Sequence, residues 1–140
     1  MDFIRRADLR AHPDWLFVFG DNFARAGHGG QAKECRGEPN AVGIPTKRLP
    51  GTQEAAYLTS NDIAAWKNHA GPNLARIHSA LAYELTVVFP SAGIGTGLAQ
   101  LERRAPAIWT ELELWLDMIK AGYYDPTHDA KPPMVPAQPI

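Results

Sequence analysis

The apolar run Val87-Val88-Phe89 breaks at Pro90-Ser91 into Gly93-Ile94-Gly95-Thr96-Gly97, and this change of character constrains the fold more than any other stretch of the chain. A continuous apolar run predicts a strand covered on both faces. Three glycines within five residues allow positive φ and close backbone approach, so that successive N–H groups can point at an anion. A helix is expected to begin near Pro106, which places the loop at the carboxyl end of a sheet, where ligands sit in open α/β folds. The G-x-G-x-G spacing matches neither the dinucleotide fingerprint nor the Walker loop. A turn that merely joins strand to helix would use the same residues, so the loop needs a second feature to mean more.

That second feature lies upstream. Trp15-Leu16-Phe17-Val18-Phe19 is a compact run of β-formers between Pro13 and Gly20, and it reads as a central strand buried on both faces. It is expected to end in a turn at Gly20-Asp21-Asn22. Gly27-His28-Gly29-Gly30 then leads into the helix formers Gln31 to Arg36, a second strand, glycine loop and helix. Ala41-Val42-Gly43-Ile44-Pro45 predicts another short strand. Residues 46 to 59 show no period and are expected to form a long loop with a short strand at Tyr57-Leu58.

Ser60-Asn61-Asp62 supplies caps for a helix through Trp66 that Gly71-Pro72 should interrupt, with Asn73 capping a restart that carries Leu74, Ile77 and Leu81. A strand from Leu85 to Phe89 follows. Ile108, Leu112, Trp115, Leu116 and Ile119 then trace one face of a terminal helix, with Pro106 in its first turn and Gly122 at its close. Pro13 limits the segment before Trp15 to a short element and a turn.

The 140 residues are 45% hydrophobic and 21% charged, which predicts one α/β domain over residues 1–122. Residues 123–140 hold five of the twelve prolines and read as an extended tail. A net charge of −1 provides no bulk attraction to nucleic acid or anionic membrane, so any anion must be met locally. No stretch reaches the length of a membrane span and the N-terminus lacks a signal-peptide core, so a cytoplasmic protein is expected. The lone Cys35 reads as a packed thiol, and no metal pattern or cofactor motif is present. Trp66, Trp109 and Trp115 sit at helical spacing and read as core; His69 and His78 read as structural.

The order of the motifs resembles the macrodomain, the ADP-ribose-binding α/β/α module, over roughly residues 15 to 119. Phe17-Val18-Phe19-Gly20-Asp21-Asn22 with Gly27 to Ala32 is similar to that family's strand, Asn-bearing turn and glycine segment. Val87 to Pro90 with Gly93 to Gly97 is similar to its strand and diphosphate loop. Ile44-Pro45-Thr46-Lys47 also looks like a segment of phage and bacterial macrodomain-related proteins. The resemblance implies a three-layer α/β/α fold with a central mixed sheet. It places Asn22 at the distal ribose and makes Asp21 and His28 candidates for moving a proton or water. Gly20, Gly29, Gly30, Gln31, Lys47, Ser91, Gly93, Ile94, Gly95, Thr96 and Gly97 would then contact the ligand. The family's early Gly-Asp segment, which holds adenine, has no clear counterpart in residues 1 to 14.

Side chains of these types suit that chemistry: an amide both donates to and accepts from ribose hydroxyls, and backbone N–H groups suit diphosphate oxygens. Asp21-Asn22 is also ordinary turn chemistry, and Lys47 is also an ordinary loop lysine. Three function classes follow. The chain hydrolyses ADP-ribosyl linkages or removes a terminal phosphate of ADP-ribose. Alternatively it captures ADP-ribose-derived or cyclic nucleotide signals without turnover, or it is an interaction module whose glycine loops are only turns. The expected partner is a small nucleotide or an ADP-ribosylated macromolecule.

Overall fold

Strand β1 (Leu16–Asn22) is the centre of a three-stranded parallel sheet of order β2-β1-β3, with β2 at Ala41–Lys47 and β3 at Val87–Val88. The computed structural model describes residues 3–91, 93–96 and 99–121. The expected tail after residue 122, the helix stop at Gly122 and Gly97 lie outside them. No helix among the described residues is long and apolar enough to cross a membrane.

Alternation along β1 explains its unbroken apolar run. Leu16 and Val18 join the cluster built with α3 (Ile63–Ala82) and α5 (Pro106–Lys120). Phe17 and Phe19 join a second cluster with Ile4, Leu9, Ala32 and Cys35, on and beside α1 (Arg6–Ala11) and α2 (Ala32–Cys35). Successive side chains of a strand point to opposite faces, so the sheet carries helices on both. The five apolar positions expected on α5 are all buried, and Pro106 occupies its first turn. Trp66 and Trp115 pack within the first cluster with ring centroids 5.4 Å apart.

Several local expectations are corrected. Gly20-Asp21-Asn22 is not a turn: β1 continues through it, paired with Ile44, Pro45 and Lys47, because β2 is long enough to keep supplying ladder partners. The turn follows, where the Arg25 N–H donates to the Asn22 carbonyl at 3.1 Å. Gly71-Pro72 does not interrupt α3, which runs unbroken for 20 residues. An interior proline costs about 3 kcal/mol. Burial of Trp66, Leu74 and Ile77 on the same helix returns about 1.5–3 kcal/mol each, which outweighs it.

Strand β3 is shorter than Leu85 to Phe89, because the Leu85 N–H bonds the Ala80 carbonyl at 2.9 Å and finishes α3 instead of entering the sheet. Tyr57-Leu58 forms no strand pair; Tyr57 makes an isolated antiparallel bridge to Lys47 after a 3-10 turn at Glu54–Ala56. The expected mixed sheet is replaced, among the described residues, by a parallel one: both strand pairs are parallel, and the isolated Lys47–Tyr57 bridge is the antiparallel contact.

The outer edge of β2 is covered by one face of α3. Trp66 Nε1 donates to the Pro45 carbonyl at 2.8 Å, Asn73 Nδ2 to that of Gly43 at 2.6 Å, and Arg76 Nη1 to that of Ala41 at 3.2 Å. Alternate carbonyls of an edge strand point away from its partner, and here three in succession meet helix side chains in place of a further strand. Asn73 therefore ties the helix to the sheet and does not cap a second helix. Pro45, which has no N–H to offer a neighbour, fits an edge position.

Candidate functional site

The carboxyl ends of all three strands open into one cleft of about 490 Å³. Gly20, Asp21 and Asn22 close β1; Thr46 and Lys47 close β2; Pro90, Gly93, Ile94, Gly95, Thr96 and Ala99 follow β3. The loop after β1 adds Ala26, Gly27, Gly29, Gly30 and Gln31, and Pro50 to Thr52 form part of the rim. The chain passes from β1 to β2 on one side and crosses by α3 to β3 on the other, so the loops leaving β1 and β3 diverge around a crevice. The two glycine loops identified in the sequence therefore face one space.

Glycine is required in both loops, by backbone angle and by lack of space. Gly93 and Gly95 have φ of 90° and 85°, and Gly27 and Gly30 have 88° and 55°, in the left-handed region that side chains disfavour. A Cβ at Gly95 would lie 2.8 Å from Leu101 Cδ2, and one at Gly27 would lie 2.8 Å from Pro50 Cβ. Gly29 has neither constraint, since nothing lies within 4 Å of its Cβ position. A side chain there would extend into open space.

The polar side chains at the cleft are mostly engaged with the protein. Arg36 holds both carboxylate oxygens of Asp21, Nη2 to Oδ1 at 2.6 Å and Nη1 to Oδ2 at 3.3 Å, and donates to the Gly27 carbonyl through Nε at 2.9 Å. Asp21 Oδ1 also accepts the Asn22 N–H at 2.8 Å. The buried Asn22 amide closes its own turn, donating to the Ala26 carbonyl at 2.8 Å and accepting the Ala26 N–H at 3.3 Å. Gln31 brackets the backbone of Ile4, with Oε1 accepting its N–H and Nε2 donating to its carbonyl, both at 2.8 Å.

Lys47 is the lining residue whose charge has no acidic partner beside it among the described residues. Its ammonium donates to the Gly51 carbonyl and lies 4.8 Å from the centre of the Tyr57 ring. Burial, and then the nearby Arg104 guanidinium, push it below the usual lysine range. Arg104 stacks on the same ring at 3.7 Å and pairs with Glu54 at 3.0 Å. With Arg36 balanced by Asp21, the side chains leave the cleft one net positive charge.

Of the expected site residues, Gly20, Asp21, Asn22, Gly29, Gly30, Gln31, Lys47, Gly93, Ile94, Gly95 and Thr96 line the cleft together. His28 and Ser91 are exposed and do not line it. Phe3, Arg36 and Thr46 belong to the site but were not among the expected residues. Thr46 stood inside the quoted Ile-Pro-Thr-Lys segment, whereas nothing local marks Arg36 or Phe3. Cys35 is fully buried on α2, and burial pushes its thiol up to about 11, as befits a packed thiol. Among the described residues no group of three His, Cys, Asp or Glu side chains is placed to hold a metal ion.

Residues 1–115 match the model of a family of unknown function, DUF7831, and the chain belongs to that family. Comparison with curated proteins and with solved structures returned no match.

Proposed function

We propose that this chain binds a nucleoside diphosphate ligand of the ADP-ribose type in the cleft and holds it without turnover, within a three-layer macrodomain-like fold. The observation that carries the reading is the convergence of two glycine loops, from β1 and from β3, on one space at the carboxyl ends of parallel strands. Its volume of about 490 Å³ lies within the range of small-molecule sites. A diphosphate would lie along the loop of Gly93 to Thr96, where left-handed Gly93 and Gly95 let the backbone approach a ligand closely, with Lys47 supplying the positive charge. Helices on both sheet faces support the layered arrangement.

Capture is favoured over hydrolysis by the state of the three candidate catalytic groups. A general base must have a lone pair within reach of the proton it abstracts. Asp21 is held by Arg36, the Asn22 amide is closed on Ala26, and His28 stands outside the cleft lining. Titration calorimetry with ADP-ribose tests the reading. Binding is expected with a dissociation constant on the order of micromolar, about −8 kcal/mol. Chromatography after denaturation should return the ligand unchanged. No heat with ADP-ribose, NAD or ADP would refute binding; release of ADP-ribose from ADP-ribosylated protein, or of phosphate from ADP-ribose 1″-phosphate, would restore the hydrolase.

A further inference from the structure

Phe3 is 44% exposed, and the chain that follows it is firmly held. The next residue, Ile4, is fully buried in the cluster beneath α1 and α2, and Gln31 bonds both its N–H and its carbonyl. The Arg5 N–H donates to Asp8 Oδ2 at 2.8 Å, which starts α1. This two-residue anchor holds the backbone from which Phe3 extends. It lines the cleft near Gly29 to Ala32, with the Arg5 guanidinium 4.4 Å from its centre.

An exposed aromatic ring held at the rim of a glycine-lined cleft has a chemical use that burial does not explain. Flat π surfaces stack on aromatic faces whatever their hydrogen-bonding pattern. Sugar and phosphate have no such surface.

We infer that Phe3 is the stacking platform for a planar base at the exposed part of the cleft wall, and that Gln31 is the residue that positions the backbone carrying it. The inference rests on the proposed nucleotide binding and adds to it the class of group recognised there. Gln31, expected from sequence to touch the ligand, thereby acts through Ile4 on the ring beside it.

The test compares wild type with Phe3→Leu, Phe3→Trp and Gln31→Leu, using ADP-ribose and ribose 5-phosphate in calorimetry. Phe3→Leu is expected to weaken ADP-ribose about tenfold, while Phe3→Trp retains it. Ribose 5-phosphate should bind wild type and Phe3→Leu alike. The indole emission that Phe3→Trp adds to that of wild type should change with ADP-ribose and not with ribose 5-phosphate. Gln31→Leu should weaken ADP-ribose like Phe3→Leu, leave ribose 5-phosphate unaffected, and add nothing further to Phe3→Leu in the double variant; additive losses, or an equal loss of ribose 5-phosphate, would overturn its positioning role. If wild type binds ADP-ribose and Phe3→Leu binds it equally well, the platform is refuted while the binding site stands. Equal weakening of both ligands, with a lowered melting temperature, would refute it in favour of a structural role. Failure of wild type to bind ADP-ribose would remove the site and the platform together.

Discussion

Arg36 grips Asp21 through both guanidinium nitrogens while its Nε holds the Gly27 carbonyl, so one side chain from the end of α2 fixes the last residues of β1 and the glycine loop that follows. The paired side chains are only 18% and 10% exposed, which makes each dependent on the other. Arg36→Ala leaves a largely buried carboxylate alone and is expected to lower the unfolding free energy by about 3 kcal/mol in urea denaturation. A fall below about 0.5 kcal/mol, the size of a plain surface change, would mean that Asp21 does not depend on Arg36.

Two glycines of the cleft should separate folding from binding. Gly95→Ala meets both a φ of 85° and Leu101 at 2.8 Å, and is expected to destabilise the fold by about 2 kcal/mol. The Cβ of Gly29→Ala meets no neighbour and no left-handed backbone, so the melting temperature of Gly29→Val, which adds two methyls to that Cβ, should stay close to wild type while ADP-ribose affinity falls. Normal binding by Gly29→Val would remove the loop of β1 from the site.

The edge of β2 offers a third measurement. Asn73→Ala removes the donor to the Gly43 carbonyl and should cost about 1 kcal/mol, read by thermal or urea unfolding. An unchanged stability would show that water replaces the amide at no loss.

Alkaline pH acts through Cys35. Its thiol keeps its proton to about 11 in the folded chain, against an ordinary 9.0, because burial disfavours the thiolate. Between those values the unfolded chain releases the proton first, so the contribution is complete below 9.0 and is lost as pH rises through about 11. Denaturation across this window should show wild type losing stability more steeply than Cys35→Ala; parallel curves would contradict the assigned burial effect.

What the sequence made legible was periodic or compositional. The apolar run at Leu16 to Phe19, the α5 face from Ile108 to Ile119 and both glycine loops follow from patterns that a few neighbouring residues determine. The continuous α3 was not legible, because Pro72 is locally unfavourable and its tolerance depends on Trp66, Leu74 and Ile77 finding a sheet to cover. The Asn22 amide is ambiguous in sequence for a related reason: its side chain serves either a ligand or its own turn, and only the position of Ala26 decides. Arg36 and Phe3 entered the site through contacts 15 and 27 residues along the chain, by way of Asp21 and the Ile4–Gln31 bracket, which no local pattern encodes.

The central claim is that two loops far apart in the chain grip one nucleotide. Amide resonances in a two-dimensional NMR titration with ADP-ribose read both loops at once. Gly27 to Gln31 and Gly93 to Thr96 are expected to shift together along one saturation curve, with residues of α5 unmoved. Shifts confined to one loop, or none at saturating ADP-ribose, would contradict it.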